Sequence, residues 1–271
     1  MIVRNEERNL PSCLDSVRGL ADQLIVVDTG STDATPRIAA DRGATVLPFD
    51  FSYVDFAAAR NYALAQANGH WILMLDADET LGSGGARAIM ELAARNENTG
   101  YYLERHNHTS GRDTAVTDYL VRLFPACVAY RFHGRVHETI DNSILGAGGT
   151  LRKTDIRIDH SFSADPEARR RRNLWYIEIL KEEIAADPSD TTRLDFLAAE
   201  YHQLGMFNEA TKVAERIVQL RPRDYRAHLF AGIYHLQYKG EAALARCDFE
   251  RALELCPDSA EAGSFLELTR H

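Results

Sequence analysis

No stretch of this 271-residue chain stays apolar over the roughly twenty residues that a membrane-spanning helix needs, and the first residues lack the basic-then-apolar pattern of a secretory leader. Cysteine is scarce and scattered (Cys13, Cys127, Cys247, Cys256), with no CxxC pair. That excludes a disulfide framework and reads as reduced thiols in a cytoplasmic protein, with peripheral attachment to the inner face of a membrane left open. Positive charge is also short: 31 Lys and Arg stand against 40 Asp and Glu, a net charge of −9. A chain without a basic face is a poor partner for nucleic acid. The one basic run, residues 169–172, is followed by acidic residues and reads as a solvated helix face. The glycine run 82–85 has no Lys-Ser/Thr after it, which excludes an ATPase-type phosphate loop. His137 begins HETI, but Asp141 stands where a zinc-protease helix needs its second histidine, and Gly134 between His133 and His137 argues against a helix.

What is present centres on residues 71–79, WILMLDADE. The apolar start predicts a buried strand, and Asp76 and Asp78 follow at its end. Side chains two apart on an extended segment point the same way. The two carboxylates are therefore expected to converge where ligands bind in open α/β sheets. Neighbouring carboxylates repel unless a cation lies between them, and hard divalent cations take oxygen ligands with water or phosphate in the remaining positions. The implied chemistry is a metal site that holds a phosphorylated substrate.

Apolar content of 45% and charged content of 26% are those of a soluble globular protein, and the length suits one large or two modest domains. Along the first 75 residues strand and helix patterns alternate. Strands are expected at 1–4, 24–27, 44–48 and 71–75, and helices at 6–19, 34–42 and 56–68. This order predicts a parallel, doubly wound sheet. A helix at 86–95 and strands at 101–104 and 119–124, joined by loops rich in Gly, His and Thr, extend the sheet into a mixed half. From residue 168 onward the pattern is helical and repetitive. Gly205, Ala210, Ile217 and Pro222 recur 35 residues later as Gly240, Ala245, Ala252 and Pro257, while Ala198 recurs after 34 as Gly232. The extra residue must lie in the HLQYKG bend. We expect an α/β domain over 1–165, a connecting half-repeat helix over 166–190, and paired-helix repeats over 191–271.

Two further positions belong with the aspartates. Asp28 ends the apolar run at 25–27, where it either accepts from a ribose or base or simply caps the turn at 30–33. Arg60 sits in the small-residue helix AAARNYAL, where it either neutralises a diphosphate or forms a surface ion pair.

Together MIVRNEERNLPSCLDSV, LIVVDTGSTDAT, the run from Ala58 to Gly69 and WILMLDADE resemble the nucleotide-sugar-dependent glycosyltransferases of family two, with the GT-A fold. RLFPACVAYRFHGRVHETI resembles a segment of bacterial members that also carry C-terminal tetratricopeptide (TPR) repeats. The resemblance implies a nucleoside diphosphate sugar donor, UDP-linked by preference, and inverting transfer to a protein, glycolipid or polysaccharide acceptor. It implies that Val3, Arg4, Asn5 and Glu6 line the nucleotide pocket and that Asp28 binds base or ribose. Asp76 and Asp78 would be the DxD motif: Asp78 on Mn²⁺ or Mg²⁺, Asp76 on ribose or a metal-bound water. His160 is a further metal ligand by the same resemblance, or else a satisfied loop histidine.

Thr29 stands where many relatives have a second acidic residue, and the chain begins inside the first strand, where relatives have several more residues. For the proton acceptor that inversion requires, Glu138 is the first candidate and His137 the second. Against this, Glu138 could pair with Arg135 or Arg122, and His137 could be packed. The repeats would hold an acceptor or a protein partner, through residues such as Tyr201, His202, Tyr234 and His235, which could equally be packing. The rival readings are a decayed sugar-transfer domain that leaves the repeats as a scaffold, and a nucleotidyltransferase, which would need an early basic Gly-rich loop that residues 1–11 lack.

Overall fold

The computed structural model describes residues 1–95, 97–109, 116–162 and 165–269. It divides into two compact units, 1–164 and 165–271.

In the first unit, β1 (Ile2–Val3), β2 (Ile25–Asp28) and β3 (Thr45–Pro48) form a parallel sheet in that order, with Val3 beside Asp28 and Asp28 beside Pro48. The crossovers carry α1 (Leu10–Ser16) and α2 (Thr35–Asp41), each with proline in its first turn, where the missing N–H costs nothing. Helix α3 (Phe56–Gln66) follows, capped by Asp55, whose side chain accepts from Ala58 N. It buries Ala57, Ala59 and Ala63, and such small side chains allow close approach to the strands.

The next strand departs from the doubly wound expectation. β4 (Trp71–Leu73) stops short of residue 75 and pairs antiparallel with β7 (Val116–Pro125), Leu73 opposite Leu123. It joins a second sheet of order β4-β7-β6-β8-β5, with β5 (Glu79–Leu81), β6 (Thr99–Thr109) and β8 (Thr150–Phe162). The physical reason is β7 itself. Val121, Arg122, Leu123 and Phe124 are all buried, so this strand needs partners on both edges, and β4 and β6 supply them. The loop expected at 105–118 is shorter, since β6 runs on to Thr109 and β7 begins at Val116; residues 110–115 lie outside the described residues. α4 (Gly85–Ala93) and α5 (Asp141–Gly146) complete the unit.

The second unit is helical: α6 (Pro166–Ala186), α7 (Thr191–Gln203), α8 (Phe207–Leu220), α9 (Tyr225–Tyr234), α10 (Ala242–Leu255) and α11 (Ala260–Leu268). Each packs on its neighbour in sequence. Gly205 and Gly240 hold matching left-handed turns, with φ of 71° and 67°. At Gly232 an added Cβ would lie 2.6 Å from the Phe249 ring, so the glycine is what lets α9 meet α10. The residue inserted in the second repeat is taken up by a π-helical turn over His235–Lys239, the usual way to absorb one extra residue in a helix. Tyr201, Tyr234 and His235 are buried and therefore packing, whereas His202 is exposed and touches the Phe207, Tyr234 and Tyr238 rings.

The π turn carries a charge cluster around the buried His235. His235 Nδ1 lies 2.7 Å from Asp248 on α10, and its Nε2 lies 3.2 Å from Glu215 on α8. His228 stands on the other side of Asp248 at 3.8 Å, and its Nε2 donates to Pro222 O. Burial lowers the His235 pKa, but the two carboxylates more than reverse this and hold it above the usual value of 6.5. A raised folded pKa contributes stability that is complete below the unfolded value and is lost as pH rises through the folded one. The unfolding midpoint of this unit should fall as pH is taken upward from about 6.5. His235→Gln should flatten that slope in a thermal melt across pH; an unchanged slope would exclude the cluster as its source.

Candidate active site

The geometry around residues 76–79 is set by a turn. Leu73 ends the strand, and Glu79 N donates to Asp76 O across the turn. Asp76 and Asp78 are therefore not alternate residues of one strand, and they face different partners. This corrects the expectation that they point the same way as alternate residues of one extended strand.

Asp76 lies between two arginines. Its Oδ1 accepts from Arg60 Nη2 at 2.8 Å and its Oδ2 from Arg122 Nη2 at 2.7 Å. Burial alone would raise the Asp76 pKa, but Arg122 and Arg60 hold the carboxyl far below the usual range. The cations that relieve its charge are thus guanidinium groups of this chain. Arg122 also donates to Glu79 Oε1 at 2.5 Å, and Glu79 Oε2 accepts from Asp76 N at 3.0 Å. A closed ring results, in which Glu79, fully buried, grips the Asp76 backbone directly and its side chain through Arg122. Arg105 approaches Glu79 from β6 and pairs with Asp118.

Arg60 does not form the surface ion pair that was the alternative. It is buried, and its Nε donates to Glu138 Oε1 at 2.5 Å. Glu138 thus pairs with Arg60 rather than with Arg135 or Arg122, and its Oε2 takes no hydrogen bond among the described residues. The segment that presents Glu138 is a loop closed by an antiparallel bridge between His133 and Thr139. Within it Gly134 and His137 have φ of 99° and 49°. A histidine in that left-handed region is strained, as is common where a loop aims a functional group. α3 is fastened to this segment by Asn61, whose side chain donates to Phe132 O and accepts from Phe132 N, and by Phe56 N donating to Arg135 O.

Asp78 meets His160 at the end of β8, Nε2 to Oδ2 at 3.2 Å. The ring is oriented by Asn107, whose Oδ1 lies 2.7 Å from His160 Nδ1. The Asn107 amide nitrogen donates to Val116 O and Asp118 Oδ2, so its oxygen must be the acceptor and Nδ1 carries the proton. Among the described residues no three His, Cys, Asp or Glu side chains are grouped to hold a metal. Asp78 and His160 alone make an oxygen-and-imidazole pair that suits Mn²⁺ or Mg²⁺ when substrate and water complete the shell.

The nucleotide-side residues form one buttoned rim. Asn5, with φ of 57°, donates from its N to Ser31 Oγ and accepts from Thr32 N. Glu6 N donates to Thr35 Oγ1. Asp28 accepts from Ser31 N and Ser31 Oγ, so the turn-capping reading of this residue is realised in the structure. Val3 points into the core beside Leu10 and Val26, and only its backbone serves the rim, accepting from Thr29. Arg4 is exposed. Burial pushes the Glu6 pKa up; its carboxylate accepts from Asn9 Nδ2 at 2.8 Å, which lowers it, but the charges of Asp78, Asp33 and Asp76 add to burial and keep it raised overall. A cavity of about 670 Å³ also lies in this unit, between residues 24–26 and 71–75, lined mostly by apolar side chains with Asp22, Gln23, Asn68 and His70 among them.

Sequence reasoning missed Glu79, Arg122 and Asn107. A signal existed for Arg122, a lone charge inside the run Leu120 to Phe124, since a buried arginine demands carboxylate partners. Asn107 gave none, because its role exists only where β6 lies beside β8.

A parallel βα half with an acidic, arginine-braced cluster beyond it, followed along the chain by paired helices, defines an α/β domain and a helical-repeat module. The chain belongs to glycosyl transferase family 2, whose family model matches residues 1–157. A TPR repeat-containing protein of Synechococcus elongatus is 42% identical over 54% of this chain and 35% of its own length. The glycosyltransferase SunS of Bacillus subtilis is 27% identical over 78% of this chain and 50% of its own length. The chain thus spans half or less of these two relatives. The solved TPR domain of Arabidopsis OM64 aligns with 38% of this chain and 84% of its own at 19% identity, with a TM-score of 0.34. A family-2 domain implies glycosyl transfer from a nucleotide-sugar donor. Among the described residues no helix is long and apolar enough to cross a membrane.

Proposed function

We propose that this chain transfers a glycosyl residue, with inversion, from a nucleoside diphosphate sugar to a nucleophile on a protein, glycolipid or polysaccharide acceptor, and that a UDP-sugar is the preferred donor. The observation that carries the metal-dependent form of this reading is the pairing of Asp78 with a histidine, His160, whose tautomer Asn107 holds. When bound there by Asp78 and His160, Mn²⁺ or Mg²⁺ supplies charge neutralisation for the departing diphosphate.

The protein's own groups do the rest. Asp76, held rigid by two arginines, presents a fixed acceptor to the ribose or to a water of the metal shell. Asp28 and the backbone of residues 3–6 border the base and ribose. As the acceptor atom bonds to the anomeric carbon, the bond from that carbon to the diphosphate oxygen breaks. The electron pair leaves with the diphosphate, and the acceptor proton passes to Glu138 Oε2, the carboxylate oxygen that takes no hydrogen bond among the described residues. His137, in its strained loop position, is the alternative base. The TPR module recruits the acceptor or a protein partner.

The test is calorimetric binding of UDP, GDP, CDP and ADP to the whole chain, each with and without Mn²⁺. One diphosphate that binds only with metal supports the transferase and names its base. No binding by any of the four sinks the donor assignment and leaves the repeats as the place to look for function.

A further inference from the structure

The edge of a guanidinium that carries Nε and Nη2 ordinarily grips the two oxygens of one carboxylate. In Arg60 that edge is divided: Nη2 donates to Asp76 Oδ1 and Nε to Glu138 Oε1. Asp76 belongs to the turn that follows β4, and Glu138 to the strained 133–139 loop. One planar group therefore sets the spacing of two carboxylates from separate parts of the fold. Its own orientation is fixed independently. The Phe132 ring lies 5.6 Å from the Arg60 guanidinium carbon, and Asn61, the next residue on α3, clamps the Phe132 backbone through both of its amide atoms. Arg60 is buried, with its pKa driven upward by Asp76 and Glu138 against the effect of burial, so it stays charged.

We propose that Arg60 is a positioning residue: it registers the proton-accepting carboxylate, Glu138, against the donor-side carboxylate, Asp76, and makes no contact with the donor phosphates. This rests on the transferase reading above. It differs from the phosphate-neutralising role that an arginine at this place in the sequence suggests. It also gives the 133–139 loop a function, since the side chain that reaches the acceptor is held by the helix that borders the donor.

A lysine keeps the charge but cannot divide a planar fork between two carboxylates. In the full chain, Arg60→Lys is expected to leave the Mn²⁺-dependent Kd of the matching nucleoside diphosphate within about threefold, and to lower turnover of the nucleotide sugar, measured as hydrolysis with water as acceptor, by about 100-fold. The opposite split overturns the proposal: a Kd weakened about tenfold or more with turnover retained makes Arg60, through its third nitrogen Nη1, a phosphate ligand.

A second measurement needs no ligand. The unfolding midpoints of Asp76→Asn, Glu138→Gln and the double variant should be non-additive with Arg60 present and additive in an Arg60→Met background. Additivity in both backgrounds removes the bridge. Loss of wild-type turnover towards every donor, with the coupling intact, overturns the transferase reading and the positioning role with it, and so separates that failure from failure of the bridge.

Discussion

Asp78→Ala should abolish the metal-dependent part of diphosphate binding, a loss of about 100-fold or more in affinity measured with Mn²⁺. The size follows from how few groups share the work. Asp78 is the one carboxylate of the turn that no arginine engages, and His160 is its only histidine partner among the described residues. With one of two protein ligands gone, substrate and water cannot restore the site. Binding without metal should stay as weak as in wild type. Asn107→Ala, which frees the His160 ring without touching a ligand, should cost about 10- to 100-fold in metal affinity. Titration of Mn²⁺ against the diphosphate-bound protein checks both. If Asp78→Ala keeps the wild-type ratio of affinities with and without metal, the metal lies elsewhere or is not used.

The second large effect is on stability. Arg122→Met should destabilise the first unit by about 3–5 kcal/mol, because it leaves two carboxylates, Asp76 and Glu79, without the cation between them. Glu79 is fully buried and cannot turn to solvent. For a unit of this size the loss corresponds to a fall of about 6–20 °C in the unfolding midpoint. Adding Glu79→Gln should recover part of it, since the double variant removes the stranded charge as well as its partner. Arg105 and the Asp76 backbone N–H, which also face Glu79, limit the recovery. Melts of the two single variants and the double variant decide the matter. An Arg122→Met midpoint within about 2 °C of wild type would mean that Arg60 and Arg105 suffice to hold the cluster.

The parts of the site legible in the sequence were those that local pattern controls. Asp76 and Asp78 stood out because an apolar run ended in two carboxylates, and Asp28 for the same reason. The repeat spacing located the inserted residue in HLQYKG, and the π turn at His235–Lys239 is where it is absorbed. What the pattern misjudged was the path of the chain after Leu73. Alternation predicts shared direction only while the backbone is extended, and the strand had already given way to a turn. The carboxylates that Arg60 meets were not readable for a related reason. Its position on a small-residue helix was readable, but the carboxylates that meet it come from 16 and 78 residues away.

The amino-acid sequence by itself determined the class of this protein: an α/β nucleotide-sugar transferase domain followed by helical repeats, acidic overall, with its chemistry near residues 76–78. The order of α/β domain and helical repeats depends on composition, periodicity and spacing, which are local properties of the chain, and the transferase class on the motifs that resemble family two. Tertiary structure alone decided how the charges are shared. It gave Asp76 to Arg60 and Arg122, Asp78 to His160, and Glu138 to the far side of the same arginine. Each pairing joins elements distant in sequence, and a buried charge is settled by whichever opposite charge the fold brings within hydrogen-bonding distance, which no local pattern encodes.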